Sequence, residues 1–128
     1  MSDLSEIESI KAEVVKLNAR LDALKVSALT VEVPAMKFEL LPGEATGLTW
    51  SEAIAWAKEQ GGELPTRAEM LALYANLKSE FQEEWYWSSE QHADDPCCAW
   101  MQYFANGSQV YVHESYRSRA RAVRRLPI

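Results

Sequence analysis

Six aliphatic side chains, Ile7, Ile10, Val14, Leu17, Leu21 and Leu24, recur at alternating steps of three and four residues. They fill every a and d position of three heptads, the seam of a coiled coil. Glu6 and Glu13 fall at g, and Lys11 and Lys25 at e. A Glu6–Lys11 pair between helices supports a parallel arrangement, whereas Arg20 facing Lys25 opposes it. A lone helix of this length is marginal in water, so its stripe must be buried. The narrow, strictly a/d stripe predicts that residues 1–25 self-associate rather than pack on the chain's own body. Ile7 and Val14 at a with Leu17 and Leu24 at d favour two strands, whereas Ile7 with Ile10 favours three.

From residue 26 the apolar period shortens toward two. Leu29, Val31 and Val33, then Met36, Phe38 and Leu40, alternate with polar residues around Pro34 and Pro42-Gly43. This pattern predicts a β-rich connector over residues 26–43 with one or two strands. Thr49 or Ser51 then caps a helix running to about residue 60, which Gly61-Gly62 ends. In Leu64-Pro65-Thr66-Arg67-Ala68-Glu69-Met70, Pro65 sets an extended approach and Thr66 caps the first turn. Glu69 completes a capping box. The helix that follows, residues 67–78, is expected to bury Met70, Leu71, Tyr74 and Leu77.

Residues 85–88, 99–104 and 109–113 read as strands, with Asn106-Gly107 as a two-residue hairpin turn between the last two. Residues 119–126 can add a final strand. Ala120, Ala122 and Arg124 would point one way; Arg119, Arg121 and Val123 would point the other. Residues 90–96 form a polar loop.

The 128 residues, 48% hydrophobic and 25% charged, suit one folded domain with an appendage. No apolar run approaches the ~20 residues of a membrane helix, so no membrane insertion is expected. The acidic N-terminus lacks a signal-peptide core, which argues against a standard secretion route. The only two cysteines are adjacent, Cys97-Cys98, and neighbours in sequence make a strained disulfide. They are read as reduced, as in a cytoplasm. The net charge of −6 is uneven. Residues 1–116 hold 8 basic and 19 acidic side chains, and residues 117–128 hold five arginines and no acid. An acidic body argues against nucleic-acid binding.

Several elements together resemble a family of C-type-lectin-like domains. They are Leu48-Thr49-Trp50 with Ala53 and Ala57, the 64–70 stretch, Tyr86-Trp87-Ser88-Ser89, Ala99-Trp100 with Phe104 and Gly107, and Ala122-Val123-Arg124. The family occurs at the C-terminus of collagen-like bacterial adhesins, in other bacterial surface proteins and in bacteriophage tail proteins. The likeness spans residues 44–128. One departure is Gly62-Glu63, where the family often carries a tryptophan-arginine pair. The resemblance implies an α+β chain: a parallel coiled-coil helix followed by a lectin-like head of two helices packed on antiparallel sheets.

It also implies display of a binding head rather than catalysis. With no leader, a phage virion component made in the host cytoplasm is expected: a tail-fibre or tail-tip attachment protein. By analogy with phage fibres, a homo-trimer is favoured over a dimer. Its partner would be a host cell-surface glycan or protein receptor. The alternatives are a virion assembly component contacting only other tail proteins, and a bacterial surface adhesin module.

The candidate ligand-contacting residues are Trp85, Tyr86, His92, Asp94, Asp95, Tyr111, His113, Tyr116, Arg117 and Arg119. Trp85 and Tyr86 alternate in direction with Trp87, so one of the pair should reach the surface. Trp50, Trp56, Trp87 and Trp100 are expected in the core. Asp94-Asp95-Pro96 has oxygen ligands for a hard cation, but it lacks the calcium pattern of true C-type lectins and is read as a solvated turn. His92, Cys97, Cys98 and His113 match no standard zinc spacing. No metal, cofactor or catalytic residue is therefore assigned. The related sulfatase-activating oxidases use cysteines, but adjacent thiols offer no two separate roles. Arg117, Arg119, Arg121, Arg124 and Arg125 have two readings: pairing with the acidic body or a neighbouring subunit, with Arg119 and Arg121 lining one sheet face, and contact with an anionic ligand.

Overall fold

The computed structural model describes residues 29–127; the heptad positions from Ile7 to Leu24 lie outside them. The described body is α+β, with two short helices and two sheets. The first sheet has the order β1-β2-β8, from β1 (Thr30–Val33), β2 (Met36–Leu40) and β8 (Val123–Arg125). The second has the order β3-β7-β4-β5-β6, from β3 (Ala45–Leu48), β7 (Ser118–Ala120), β4 (Trp85–Gln91), β5 (Cys98–Tyr103) and β6 (Gln109–His113). The helices are α1 (Trp50–Glu59) and α2 (Arg67–Leu77), and α2 runs into a 3-10 turn at Lys78–Glu80.

Both helices begin as their sequences predict. Thr49 caps α1 and Thr66 caps α2, each reciprocated by the glutamate three residues on, Glu52 and Glu69. The end of α1 is a Schellman turn. Gly62 N–H reaches Ala57 O at 3.1 Å and Gly61 N–H reaches Lys58 O at 3.0 Å, with Gly61 at φ +86°. Gly62 is needed for a different reason: a Cβ there would lie 2.3 Å from Val123 O. The Glu63–Val123 backbone bridge depends on that close approach.

Two apolar layers sandwich the larger sheet. On one face α1 presents Ala53 and Ala57 to Trp87, Ala99, Met101, Ala120 and Ala122. Alanines let the helix approach closely, and the fully buried Trp87 satisfies its indole N–H on Leu48 O at 2.8 Å. On the other face Phe81 stacks on Phe104 at 3.9 Å, with the Tyr86 ring edge-on to both. Buried Gln102 donates to Met70 O at 2.6 Å and accepts from Gln109, which also donates to Arg67 O. These amides tie β5 and β6 to α2.

Five expectations need correction. The stretch read as a connector belongs to the body from Val31 onward: Val31, Phe38 and Leu40 are buried and β2 is hydrogen-bonded to β8. The larger sheet is mixed rather than purely antiparallel, since β4 and β7 run parallel. The predicted final strand is two strands in two sheets. They part at Arg121, whose guanidinium is buried against Glu80 O and Leu41 O at 2.6 and 3.1 Å. In α2 the buried apolar positions are Met70 and Leu73, while Leu71, about 100° further round from Met70, is 51% exposed. The β5–β6 connection is longer than a two-residue turn. Gly107 N–H bonds Tyr103 O at 2.7 Å, and Gly107 sits at φ +79° under the Tyr74 ring.

Candidate binding face

Strand register builds the site. Trp100 on β5 lies opposite Tyr111 on β6. Ala99 and Met101, its neighbours in sequence, point into the α1 core. Alternation therefore sends Trp100 and Tyr111 out on the α2 face of the sheet. They lie past the start of that helix, where no helical residue covers them completely.

Arg67, the first residue of α2, folds its guanidinium over Trp100, 3.5 Å from the ring centroid. Its Nε donates to Gln109 Oε1 at 3.0 Å, and its backbone N–H donates to Glu90 Oε2 at 2.6 Å. His92 closes the group from the β4–β5 loop, with its ring centroid 4.0 Å from Tyr111 and 5.5 Å from Trp100. Its Nδ1 accepts the Asp94 and Asp95 backbone N–H groups at 3.2 and 3.1 Å. With Nδ1 accepting, Nε2 is the ring nitrogen left to donate. Tyr111 is edge-on to Trp100 and 47% exposed. The result is an aromatic face with one guanidinium, bordered by Glu90 and by the exposed loop that carries Asp94 and Asp95.

A second feature is an open cleft of about 260 Å³ on the β3–β7–β4 side. Trp85, Arg117, Arg119 and Glu84 line it. Trp85 stacks on Tyr103 with centroids 4.9 Å apart. Both arginines have acidic partners, Arg117 with Glu52 at 3.2 Å and Arg119 with Glu44 at 2.7 Å. Of the two readings given to these arginines, pairing within the body is the one these contacts fit.

The remaining sequence candidates fall as follows. Tyr86 is fully buried and donates to Glu44, so of the Trp85–Tyr86 pair only Trp85 is accessible. Burial, and then the Glu44 carboxylate, raises the Tyr86 phenol well above its ordinary range. Asp94 and Asp95 are exposed and hold the loop through their backbones. His113 accepts Ser115 N–H at 3.1 Å and anchors a turn, and Tyr116 beyond it is 61% exposed. Thus His92 and Tyr111 come together, Trp85, Arg117 and Arg119 come together, and Tyr86 is removed from the surface.

Trp100, assigned to the core by sequence, is instead half-buried in the face, and Arg67 was read only as a helix-opening residue. The signal for Trp100 was its alternation with Ala99 and Met101 across a hairpin to Tyr111. Cys97 and Cys98 are free thiols with sulfurs 3.6 Å apart. Desolvation, and then Cys97 beside it, pushes the Cys98 thiol up, which disfavours the nucleophilic thiolate.

Among the described residues no three His, Cys, Asp or Glu side chains cluster to hold a metal ion. No described helix is long and apolar enough to cross a membrane. No protein-family model and no curated protein matches the chain.

Proposed function

We propose that this chain is a non-enzymatic attachment protein: a lectin-like α+β head presented in several copies by a parallel coiled coil over residues 1–25. The observation that carries the reading is the rigid aromatic face of Trp100, Tyr111 and His92 with Arg67. Two hydrogen-bonded strands and a capped helix hold Trp100, Tyr111 and Arg67 in place before any ligand arrives, and a hydrogen-bonded loop adds His92, which lowers the ordering cost of binding. Aromatic rings and arginine are also the side chains that dominate binding energy at recognition surfaces. A head of modest affinity gains most from repetition, and the heptads at Ile7, Ile10, Val14, Leu17, Leu21 and Leu24 supply the means.

The setting that fits is a bacteriophage tail fibre or tail tip. It would be trimeric, assembled in the host cytoplasm, and directed at a host surface glycan or receptor. The test is binding of labelled full-length chain to bacterial cells, comparing wild type with Tyr111→Ala and with Leu17→Asp/Leu21→Asp. Attachment should weaken in the first variant, and in the second it should fall together with the native mass. Tight binding to purified tail proteins with none to cells would instead favour the assembly role.

A further inference from the structure

Six arginines lie among the described residues, and five of them are occupied. Arg117, Arg119, Arg124 and Arg125 pair with carboxylates, and Arg121 is buried on carbonyl oxygens. Arg67 differs. Its Nε is held by Gln109 and its plane lies on Trp100, yet among the described residues its two terminal nitrogens bond no acceptor. Stacking has already fixed a side chain that would otherwise lose about 2 kcal/mol of rotamer freedom on binding. The geometry presents a rigid pair of N–H donors beside the exposed ring of Tyr111.

The charge around this donor pair selects what it can accept. Glu90 accepts the Arg67 backbone N–H, and Asp94 and Asp95 follow His92 in the exposed loop beside it, so the segment next to the guanidinium carries three acidic residues. A carboxylate, sulfate or phosphate on the ligand would be repelled by that rim. A neutral planar oxygen would not, and the rim carboxylates would accept hydroxyl protons. The exposed Tyr111 ring, with the His92 ring tilted against it, offers an amphipathic surface for the C–H face of a sugar ring.

We propose that this face binds an N-acetylated pyranose. The Arg67 terminal nitrogens donate to the acetamido carbonyl, the ring lies on Tyr111, and hydroxyls reach the acidic rim. This narrows the ligand of the attachment reading above and rests on it.

The experiment titrates full-length protein with triacetylchitotriose, cellotriose and glucuronic acid, following tryptophan fluorescence and amide NMR shifts at low and high salt. Triacetylchitotriose should bind about tenfold more tightly than cellotriose, the value of a hydrogen bond to a charged group, with little salt dependence. R67Q and R67K should each abolish that preference. R67K keeps the charge but loses the planar fork, so its loss separates geometry from charge. Tyr111→Ala, at a half-exposed position, should weaken both oligosaccharides while the protein stays folded by circular dichroism. Equal binding of the two oligosaccharides, an undiminished preference in R67K, or salt-sensitive preference for glucuronic acid would each overturn the proposal. Wild-type protein that attaches to cells but does not bind triacetylchitotriose overturns the sugar assignment alone. Sugar binding without attachment to any cell overturns the attachment reading alone.

Discussion

The guanidinium of Arg67 lies 3.5 Å from the centre of the Trp100 indole, one from the first turn of a helix and the other from the middle of a strand. The contact fixes the register between α2 and β5 at the surface, as the Gln102–Met70 bond does inside. A double-mutant cycle of Arg67→Ala and Trp100→Leu, read by urea unfolding, should return a coupling of about 0.5–1 kcal/mol, the usual value for a partly exposed cation–π pair. Additive effects would mean that the stacking contributes nothing to stability.

Gly62→Ala should destabilise strongly, although alanine is the better helix former and Gly62 has no left-handed φ. The added Cβ would lie 2.3 Å from Val123 O and 2.7 Å from the Leu41 side chain. Leu41 can move; a backbone carbonyl in a bridge cannot. A loss of about 2 kcal/mol or more is expected, together with faster amide exchange at Glu63 and Val123. Alanine at Gly43, where a Cβ meets nothing, serves as a control for backbone strain alone, since its φ is +95°.

Glu69 is 5% exposed and does two jobs: it caps Thr66 N–H at 2.8 Å and receives Arg125 at 3.0 and 2.9 Å. Arg125→Ala would leave that carboxylate buried without its cation. The charged hydrogen bonds to Glu69 hold the Arg125 guanidinium above even its usual range. Because Arg125 is itself about 39% exposed, the expected cost is discounted to about 1–3 kcal/mol. Replacing Glu69 by Gln as well should recover part of the loss in thermal melts.

The α1 cap should make stability depend on pH. The Thr49 backbone N–H, then its hydroxyl, and Arg117 hold the Glu52 carboxyl below its ordinary value of 4.5. A carboxyl depressed on folding binds fewer protons in the native state. Its contribution is therefore present above pH 4.5 and is lost as pH falls through the lower native value. Wild type should exceed Glu52→Gln in melting temperature at pH 7, and the gap should close toward pH 3. A constant gap would show that the cap acts without its charge.

The helices were legible because their signals are local. Thr49 with Glu52 and Thr66 with Glu69 specify the starts, and Gly61-Gly62 specifies one end, all within four residues. The face of α2 was less so: Leu71 and Leu73 are equally apolar, and only the position of the sheet decides which is covered. The split between Ala120 and Val123 was illegible for the same reason. Nothing in the alternation of residues 119–126 shows that Arg121 finds Glu80 O and Leu41 O, contacts made by distant parts of the chain. Tyr86 was misplaced because a phenol is amphipathic, and its partner Glu44 lies far away in sequence. Trp100 could have been placed from hairpin register, but Arg67 above it could not, since that pairing joins a helix start to a strand.

Strand pairing also sets an order of events. Leu40 pairs with Val123 and Ala45 with Ala120, so β2 has only β1 beside it, and β3 has no strand to join, until β7 and β8 exist. On a ribosome, those early strands would emerge with open edges and the apolar side chains of Phe38 and Leu40 uncovered. A chain halted before Ala120 would leave those apolar side chains without the strands that complete their sheets. Closure of both sheets therefore falls to the last ten residues of the described body.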